Sequence, residues 1–117
     1  MKKVYHLSSC STCQRIINEL QPLTGFELQD IKADPITEKQ LMEMYGLAGD
    51  FESLFSRRAV LYRERELKDK DLKETDIKAL ILEHYTFLKR PVLIVEDEIF
   101  IGNSKKSVAA AKKAIHS

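Results

Sequence analysis

The sequence predicts an α/β fold with a mixed sheet flanked by helices, and three observations support that prediction. An apolar run at 4–7 and an alternating run at 26–31 lie on either side of a helical pattern, so these two strands should pair in parallel. Two further apolar runs, at 92–95 and 99–101, surround the acidic residues 96–98, which is typical of a tight antiparallel hairpin. The pattern between these two halves is helical and predicts an inserted helical segment.

Length and composition indicate one soluble domain spanning residues 1–117. Hydrophobic residues make up 44% of the chain and charged residues 32%, which is normal for a globular protein with a single core. The formal net charge of +1 favours neither direct nucleic-acid binding nor an acidic membrane surface. The N-terminus lacks the apolar core of a signal peptide, and no apolar run approaches the roughly 20 residues needed to cross a bilayer. We therefore expect a cytoplasmic protein with no membrane contact.

The first helix is predicted between the two parallel strands. Ile16, Ile17 and Leu20 share one helical face, and Pro22 and Gly25 end the helix. This order gives an opening unit of strand, cysteine-containing turn and helix.

The inserted segment begins with a helix whose N-terminus carries a capping pattern. Thr37 and Gln40 have the spacing of a capping box, and Gly46 or Gly49 is expected to end the helix. Three apolar or aromatic residues follow the cap at helical spacing: Leu41, Met44 and Tyr45.

The rest of the segment contains a short helical piece, a charged stretch and another helix. Residues 50–55 predict the short piece, and the charge-dense stretch 62–73 predicts a solvated helix surface and loop. Thr75 or Asp76 is expected to cap a third main helix that runs to about Tyr85.

The hairpin leads into a final helix. Residues 102–104 close the hairpin and cap that helix, which carries Val108, Ala111 and Ile115 on its apolar side. The order of strand, helix, strand, helices, hairpin and helix is the arrangement of a thioredoxin-like sheet with an inserted helical segment.

Both cysteines of the chain, Cys10 and Cys13, lie where the first strand gives way to the first helix. At a helix start, backbone N–H groups and the helix dipole favour a thiolate, which is the reactive form of cysteine. Ser11 or Thr12 can supply a further donor, and Cys13 falls on the inward face of the helix. Cys10 is therefore predicted as the nucleophile and Cys13 as the resolving thiol. In a reducing cytoplasm a structural disulfide is a poor device, which also favours a reactive pair.

Two alternatives to redox chemistry stay open on spacing alone. Cys13 can be a small buried hydrophobic residue, with Cys10 an ordinary turn cysteine. His6 can join both cysteines in a metal site, although a structural zinc site needs four ligands and the chain has no second Cys-x-x-Cys pair. The spacing favours redox chemistry first, an inert pair second and a metal site last.

Four pieces of the chain together resemble the arsenate reductase family of thioredoxin-like proteins, which also includes Spx-like transcription regulators. These pieces are His6, the motif Cys10–Cys13, Arg58, and Arg90–Pro91 ahead of the hairpin. The resemblance covers nearly the whole chain in order and length. It implies a thioredoxin-like fold in which Pro91 is cis and faces the cysteine turn.

The resemblance also implies an activity and a role for each residue. Cys10 attacks an oxyanion such as arsenate, or a disulfide, and His6 matches the histidine that precedes the nucleophile in the family. Arg58 and Arg90 hold the anion by paired hydrogen bonds, together with Ser11–Thr12 at the helix N-terminus. Glutathione is the implied reductant, glutaredoxin or thioredoxin the implied partner, and neither a bound cofactor nor a metal is expected.

Two departures from the reductase pattern bear on function. Residues 102–104 stand where the reductases have a third arginine, and Cys13 is a feature of Spx-like regulators that the glutathione-dependent reductases lack. The alternative hypothesis is therefore a redox sensor that closes Cys10–Cys13 and binds the RNA polymerase alpha subunit. A paralogue without oxyanion turnover is a third. We place the enzyme first because Arg58 and Arg90 are both present.

Overall fold

The computed structural model describes residues 1–116, and the chain forms two compact units. One unit comprises Met1–Pro35 and the chain from Arg90 onward, and the other comprises Ile36–Lys89. The expectation of a single domain stays a prediction. Within the described residues, no helix is both long enough and apolar enough to span a membrane.

The first unit contains a mixed sheet of four strands. They are β1 (Lys2–His6), β2 (Glu27–Asp30), β3 (Val92–Val95) and β4 (Glu98–Ile101), in the order β2-β1-β3-β4. β1 runs parallel to β2 and antiparallel to β3, and β3 and β4 are antiparallel. The predicted parallel pair and C-terminal hairpin are therefore confirmed.

Two helices, α1 (Ser11–Leu20) and α5 (Lys105–His116), pack on one face of this sheet. The other α-helices in chain order are α2 (Glu38–Ala48), α3 (Val60–Glu64) and α4 (Glu74–Glu83). The apolar sides of α1 and α5 pack on Val4 of β1 and Leu93 of β3, and Val108 and Ala111 complete this core. Tyr5 points to the opposite face of β1 and is also buried. Burial on both faces explains why β3 is apolar throughout and why Val4 and Tyr5 of β1 are both buried.

The edge strand β2 buries the polar Gln29 and exposes the apolar Leu28. Leu28 is 43% exposed, whereas Gln29 is only 5% exposed. Gln29 pairs with Tyr5 in the sheet register, and its side-chain Nε2 donates a hydrogen bond of 2.9 Å to the carbonyl of Asp34. That bond offsets the cost of burying the amide. The alternation predicted the strand but not that Gln29 would lie on its buried face.

The capping pattern of α2 is confirmed. Thr37 Oγ1 accepts from Gln40 N at 3.1 Å, and Gln40 Oε1 accepts from Thr37 N at 3.1 Å. The helix ends at Gly49, which has a left-handed backbone with φ of 92°, while Gly46 lies inside the helix.

The start of α4 differs from the prediction that Thr75 or Asp76 would be its N-cap. Lys73 is the N-cap, and the Asp76 carboxylate accepts a hydrogen bond of 2.9 Å from the Lys73 N–H. The prediction was wrong because Asp76 satisfies the helix end from within the first turn. The helix then ends at Glu83, before a 3₁₀ turn at Tyr85–Phe87.

Aromatic packing forms the core of the second unit. The Phe55 ring stacks on Phe87 with centroids 5.7 Å apart and meets Tyr62 edge-on at 5.9 Å. Phe55 also forms an antiparallel bridge with Leu88. The short helical piece predicted at 50–55 is a 3₁₀ turn, Glu52–Leu54.

Candidate active site

The turn between β1 and α1 places Cys10 at the N-terminus of the helix. Cys10 is the N-cap residue: its N–H donates to the carbonyl of Leu7 at 3.0 Å, and its carbonyl accepts from Gln14 N at 3.1 Å. Among the described residues, no side chain caps this helix end by a hydrogen bond, and the first turn carries no acidic residue. The N–H groups of the first turn therefore remain available to the Cys10 sulfur or to an anion.

Cys10 has the more acidic of the two thiols. Its partial burial raises its pKa, but the backbone N–H and thiol of Cys13, the backbone N–H of Thr12 and the charge of Arg90 together outweigh that effect. The pKa of Cys10 therefore lies below the ordinary value for cysteine. The hydrogen-bond donors belong to the first turn of α1, so the shift follows directly from the N-cap position.

Cys13 has the opposite electrostatic environment. Its side chain is 1% exposed, and this burial, reinforced by the nearby charge of Cys10, raises the pKa of Cys13 to about 11. The Leu7 backbone and the charge of Arg90 lower the pKa of Cys13 by less. Cys13 is therefore a thiol at neutral pH, and its S–H can donate to the Cys10 thiolate. Both cysteines are free in this structure.

Arg90–Pro91 precedes β3 and lies at the same end of the sheet as the cysteine turn that follows β1. The charge of Arg90 lowers the pKa of both sulfurs, which places its guanidinium close to the pair. The Arg90–Pro91 peptide bond is cis, and the Pro91 carbonyl accepts a hydrogen bond of 2.9 Å from Gly102 N. Arg90 thus lies near the cysteine pair, and the next residue, Pro91, is hydrogen-bonded to the turn that follows β4.

A polar network connects the ends of β1 and β2 to α1. His6 Nδ1 lies 3.3 Å from Gln14 Nε2, and the same Nε2 donates to the carbonyl of Leu7 at 3.2 Å. Asp30 pairs with His6 in the sheet register and accepts 2.6 Å from Ser8 Oγ. The pKa of Asp30 is lowered mainly by the hydrogen bond from the Ser8 hydroxyl, and the charge of His6 lowers it by less.

The model of the ArsC family matches residues 5–111. The chain belongs to the ArsC family. No curated protein gave a significant match.

Solved structures resemble this ArsC-family chain over nearly its whole length. A Bacteroides fragilis protein described as ArsC family related has a TM-score of 0.80 at 23% identity, covering 97% of this chain and 96% of its own. An arsenate reductase from Vibrio cholerae has a TM-score of 0.76 at 19% identity, covering 93% and 97%. A Streptococcus mutans protein described as a possible arsenate reductase has 0.72 at 28% identity, covering 90% and 92%. The thioredoxin-like fold predicted from the sequence is thereby confirmed.

Seven of the site residues predicted for this ArsC-family chain lie in its sheet-containing unit. They are His6, Cys10, Ser11, Thr12, Cys13, Arg90 and Pro91. Thr12 contributes through its backbone N–H, whereas the side chain of Ser11 is exposed. The assignment of catalytic and anion-binding roles to these residues stays a prediction.

Arg58 lies in the other unit, in the turn before α3, and its side chain is exposed. Its proximity to Cys10 stays a prediction. The neighbouring Arg57 is engaged within its own unit: its guanidinium donates to Tyr62 Oη at 2.9 Å and to Glu52 Oε1 at 3.0 Å. Arg57 therefore has a structural role within its own unit, since it pairs with Glu52.

Two features of the site were not identified from the sequence. Gln14 and the backbone of Leu7 link His6 to Cys10, because the Leu7 carbonyl accepts from Cys10 N and from Gln14 Nε2. The spacing did contain one signal: Gln14 follows Cys10 by one helical turn, so the two share a side of α1. Among residues 1–116, no group of three His, Cys, Asp or Glu side chains is placed to hold a metal ion.

Proposed function

We propose that this ArsC-family protein is a thiol-disulfide oxidoreductase in which Cys10 is the nucleophile and Cys13 the resolving thiol. The observation that carries the proposal is the opposite shift of the two thiols, with the pKa of Cys10 lowered and that of Cys13 raised to about 11. One sulfur is thus ready to attack, while its neighbour is held in reserve as a thiol.

The first step is attack of the Cys10 thiolate on one sulfur of a disulfide. A Cys10–S bond forms, the substrate S–S bond breaks, and the other substrate sulfur leaves as a thiolate. Cys10 is then neutral, so the charge that helped raise the pKa of Cys13 is gone. Cys13 consequently becomes easier to deprotonate only after the mixed disulfide has formed.

The second step is attack of Cys13 on Cys10. The Cys13 proton passes to the departing thiolate, the Cys10–Cys13 disulfide forms, and the bound thiol is released. The pair has then supplied two electrons, and a reductant such as glutathione, acting alone or through glutaredoxin or thioredoxin, must restore both thiols. The enzyme therefore cycles between a dithiol and an internal disulfide.

An oxyanion substrate fits the same electron count. Two thiols and arsenate give a disulfide, arsenite and water, with arsenic gaining the two electrons that the sulfurs lose. Arg90 and the open N-terminus of α1 support this version, because both favour an anion beside Cys10. Arg58 would be the second guanidinium of the anion site.

A second candidate is a redox-sensing regulator that closes Cys10–Cys13 and binds the RNA polymerase alpha subunit. The close Cys10–Cys13 pair and the absence of an arginine in residues 102–104 favour it. A pull-down with purified alpha subunit, performed on the reduced and the oxidised protein, tests this candidate. Binding that differs between the two states supports the regulator, and no binding in either state contradicts it.

Intact-mass measurement tests the enzyme. The reduced protein is challenged separately with glutathione disulfide and with arsenate. We expect glutathione disulfide to remove two hydrogens from the wild type, and to leave one bound glutathione in Cys13→Ser because that variant cannot resolve the adduct. Cys10→Ser should remain unmodified.

The arsenate arm separates the two substrate classes. Disulfide formation with release of arsenite identifies an oxyanion reductase, whereas a change with glutathione disulfide alone identifies a thiol-exchange enzyme. A glutathione adduct on Cys13 in the Cys10→Ser variant, or no change in the wild type with either oxidant, contradicts the proposal.

A further inference from the structure

The side-chain nitrogen of Gln14 lies within hydrogen-bond distance of two groups. Its Nε2 lies 3.2 Å from the carbonyl oxygen of Leu7 and 3.3 Å from Nδ1 of His6. A backbone carbonyl can only accept, so the side-chain atom facing Leu7 must be the NH₂ group and not the amide oxygen. This contact fixes the orientation of the Gln14 amide.

The amide orientation in turn fixes the tautomer of His6. An amide NH₂ has two hydrogens to donate and accepts none, so His6 Nδ1 must be the acceptor and carry no hydrogen. A neutral imidazole with a bare Nδ1 carries its hydrogen on Nε2. The Nε2–H is then the one hydrogen-bond donor of the neutral ring, on the side away from Gln14.

The same side chain connects His6 to the cysteine turn. The Leu7 carbonyl that accepts from Gln14 also accepts from Cys10 N at 3.0 Å, and the Leu7 backbone lowers the pKa of Cys13 through a hydrogen bond to its sulfur. The backbone of Leu7 thus contacts both cysteines, its carbonyl the Cys10 N–H and its N–H the Cys13 sulfur, and Gln14 holds the carbonyl. A shift of Gln14 would displace the imidazole and the turn together.

We propose that Gln14 is a positioning residue that fixes His6 as the Nε2-protonated tautomer and couples the imidazole to the Leu7 carbonyl of the cysteine turn. In this tautomer Nδ1 is occupied as an acceptor, so His6 does not remove a proton through Nδ1. The inference rests on the proposed function only in taking Cys10 as the nucleophile, because the tautomer can be measured with no substrate present.

Imidazole ¹⁵N spectroscopy tests the tautomer directly. Spectra are recorded at a pH of about 8.5, where imidazoles are mostly neutral, and the His6 signals are assigned by their loss in His6→Gln. We expect the Nε2-protonated pattern in the wild type. We expect the Nδ1-protonated pattern in Gln14→Glu, because a carboxylate can only accept and therefore needs a hydrogen on Nδ1.

The chain provides two matched controls. His84 Nδ1 accepts a hydrogen bond of 3.1 Å from Thr86 N, so its ring is an internal reference for the Nε2-protonated form in every spectrum. Asn18 is an exposed amide one turn further along α1, and Asn18→Asp makes the same chemical change at that position. Neither His84 in Gln14→Glu nor His6 in Asn18→Asp should change tautomer. An Nδ1-protonated His6 in the wild type, or an unchanged His6 in Gln14→Glu, overturns the proposal.

The rate of Cys10 alkylation tests the connection to chemistry. Gln14→Met keeps the length of the side chain but removes its hydrogen bonds. We expect Gln14→Met and His6→Gln each to lower the alkylation rate at pH 7 by about fivefold, which corresponds to the loss of one hydrogen bond. The double variant should lower the rate no further. Multiplying effects in the double variant would show that the two residues act independently, which contradicts a positioning role for Gln14.

Discussion

The helices α1 and α2 obtain the hydrogen bonds of their first turns in opposite ways. At α2, Thr37 and Gln40 cap each other's backbone N–H groups at 3.1 Å, and Glu38 places a negative charge near the helix start. At α1, Cys10 occupies the N-cap position and, among the described residues, no side chain makes a capping hydrogen bond. The N-terminus of α2 is capped by side-chain oxygens, whereas the N–H groups at the N-terminus of α1 are left to the Cys10 sulfur.

This difference separates stability from chemistry in one molecule. The N–H groups of the first turn of α1 donate to the Cys10 sulfur and lower its pKa, whereas a serine or aspartate in its place would occupy them with oxygen. A helix start that is poor for stability is therefore good for a thiolate. The comparison predicts that substitutions at the two N-termini will affect different properties of the protein.

The largest effect is expected from Cys10→Ser. Thiol-disulfide exchange should fall by about 10³-fold or more, because the nucleophile is lost. The free energy of unfolding should rise by about 1 kcal/mol, because serine is a preferred N-cap. A coupled glutathione assay and urea unfolding measure the two quantities. Cys10→Ala is the control, since it removes the thiol without supplying a cap; equal stability of the two variants would contradict the account.

Cys13→Ala should reduce the reactivity of Cys10 at neutral pH. Loss of the Cys13 thiol removes a hydrogen bond that lowers the pKa of Cys10, so the alkylation profile should move to higher pH. At pH 7 we expect a rate lower by about tenfold, the scale of one hydrogen bond to a charged group. Cys13→Ser retains a donor and should lie closer to the wild type. An unchanged profile in Cys13→Ala would show that the two thiols do not interact.

Thr37→Ala should affect stability alone. Removal of the capping hydroxyl should lower the free energy of unfolding by about 1 kcal/mol, while the pH profile of Cys10 alkylation stays the same. Thr37→Ser keeps the hydroxyl and should retain most of the stability. Denaturant unfolding and alkylation of the same samples provide the comparison. A shifted alkylation profile would contradict the assignment of this helix start to stability.

The smallest effect is expected within α2. A Cβ added at Gly46 meets no atom within 4 Å, so Gly46→Ala should stabilise the protein by about 0.5–1 kcal/mol. Gly49 has φ of 92°, so Gly49→Ala should destabilise it by a similar amount. Thermal unfolding of the two variants should therefore give shifts of opposite sign. Shifts of the same sign would contradict the helix end at Gly49.

Local sequence predicted the elements whose contacts are local. The Thr37–Gln40 box, the helical face of Ile16 and the hairpin at Val92 depend on neighbours in sequence, and all three are present. At α4 the predicted N-cap was wrong. The N-cap is Lys73, whose backbone N–H is bonded by Asp76, and lysine is not a residue type that indicates an N-cap.

Contacts between distant residues could not be obtained in this way. The pairing of His6 with Asp30, for example, joins residues of two strands and depends on the strand register. The position of Cys10 at the helix start was predictable from spacing, whereas the link through Gln14 required the fold of the β1–α1 turn. The family resemblance supplied Arg90, which local patterns do not connect to Cys10.

The pH dependence of alkylation of the reduced wild-type protein, with each modified cysteine identified by peptide mass, tests the central claim most directly. The account predicts that Cys10 reacts with a midpoint below that of an ordinary cysteine, while Cys13, whose pKa is about 11, stays unmodified near neutral pH. Labelling of Cys13 before Cys10, or an ordinary midpoint for Cys10, would contradict the conclusion that the open N-terminus of α1 produces the nucleophile.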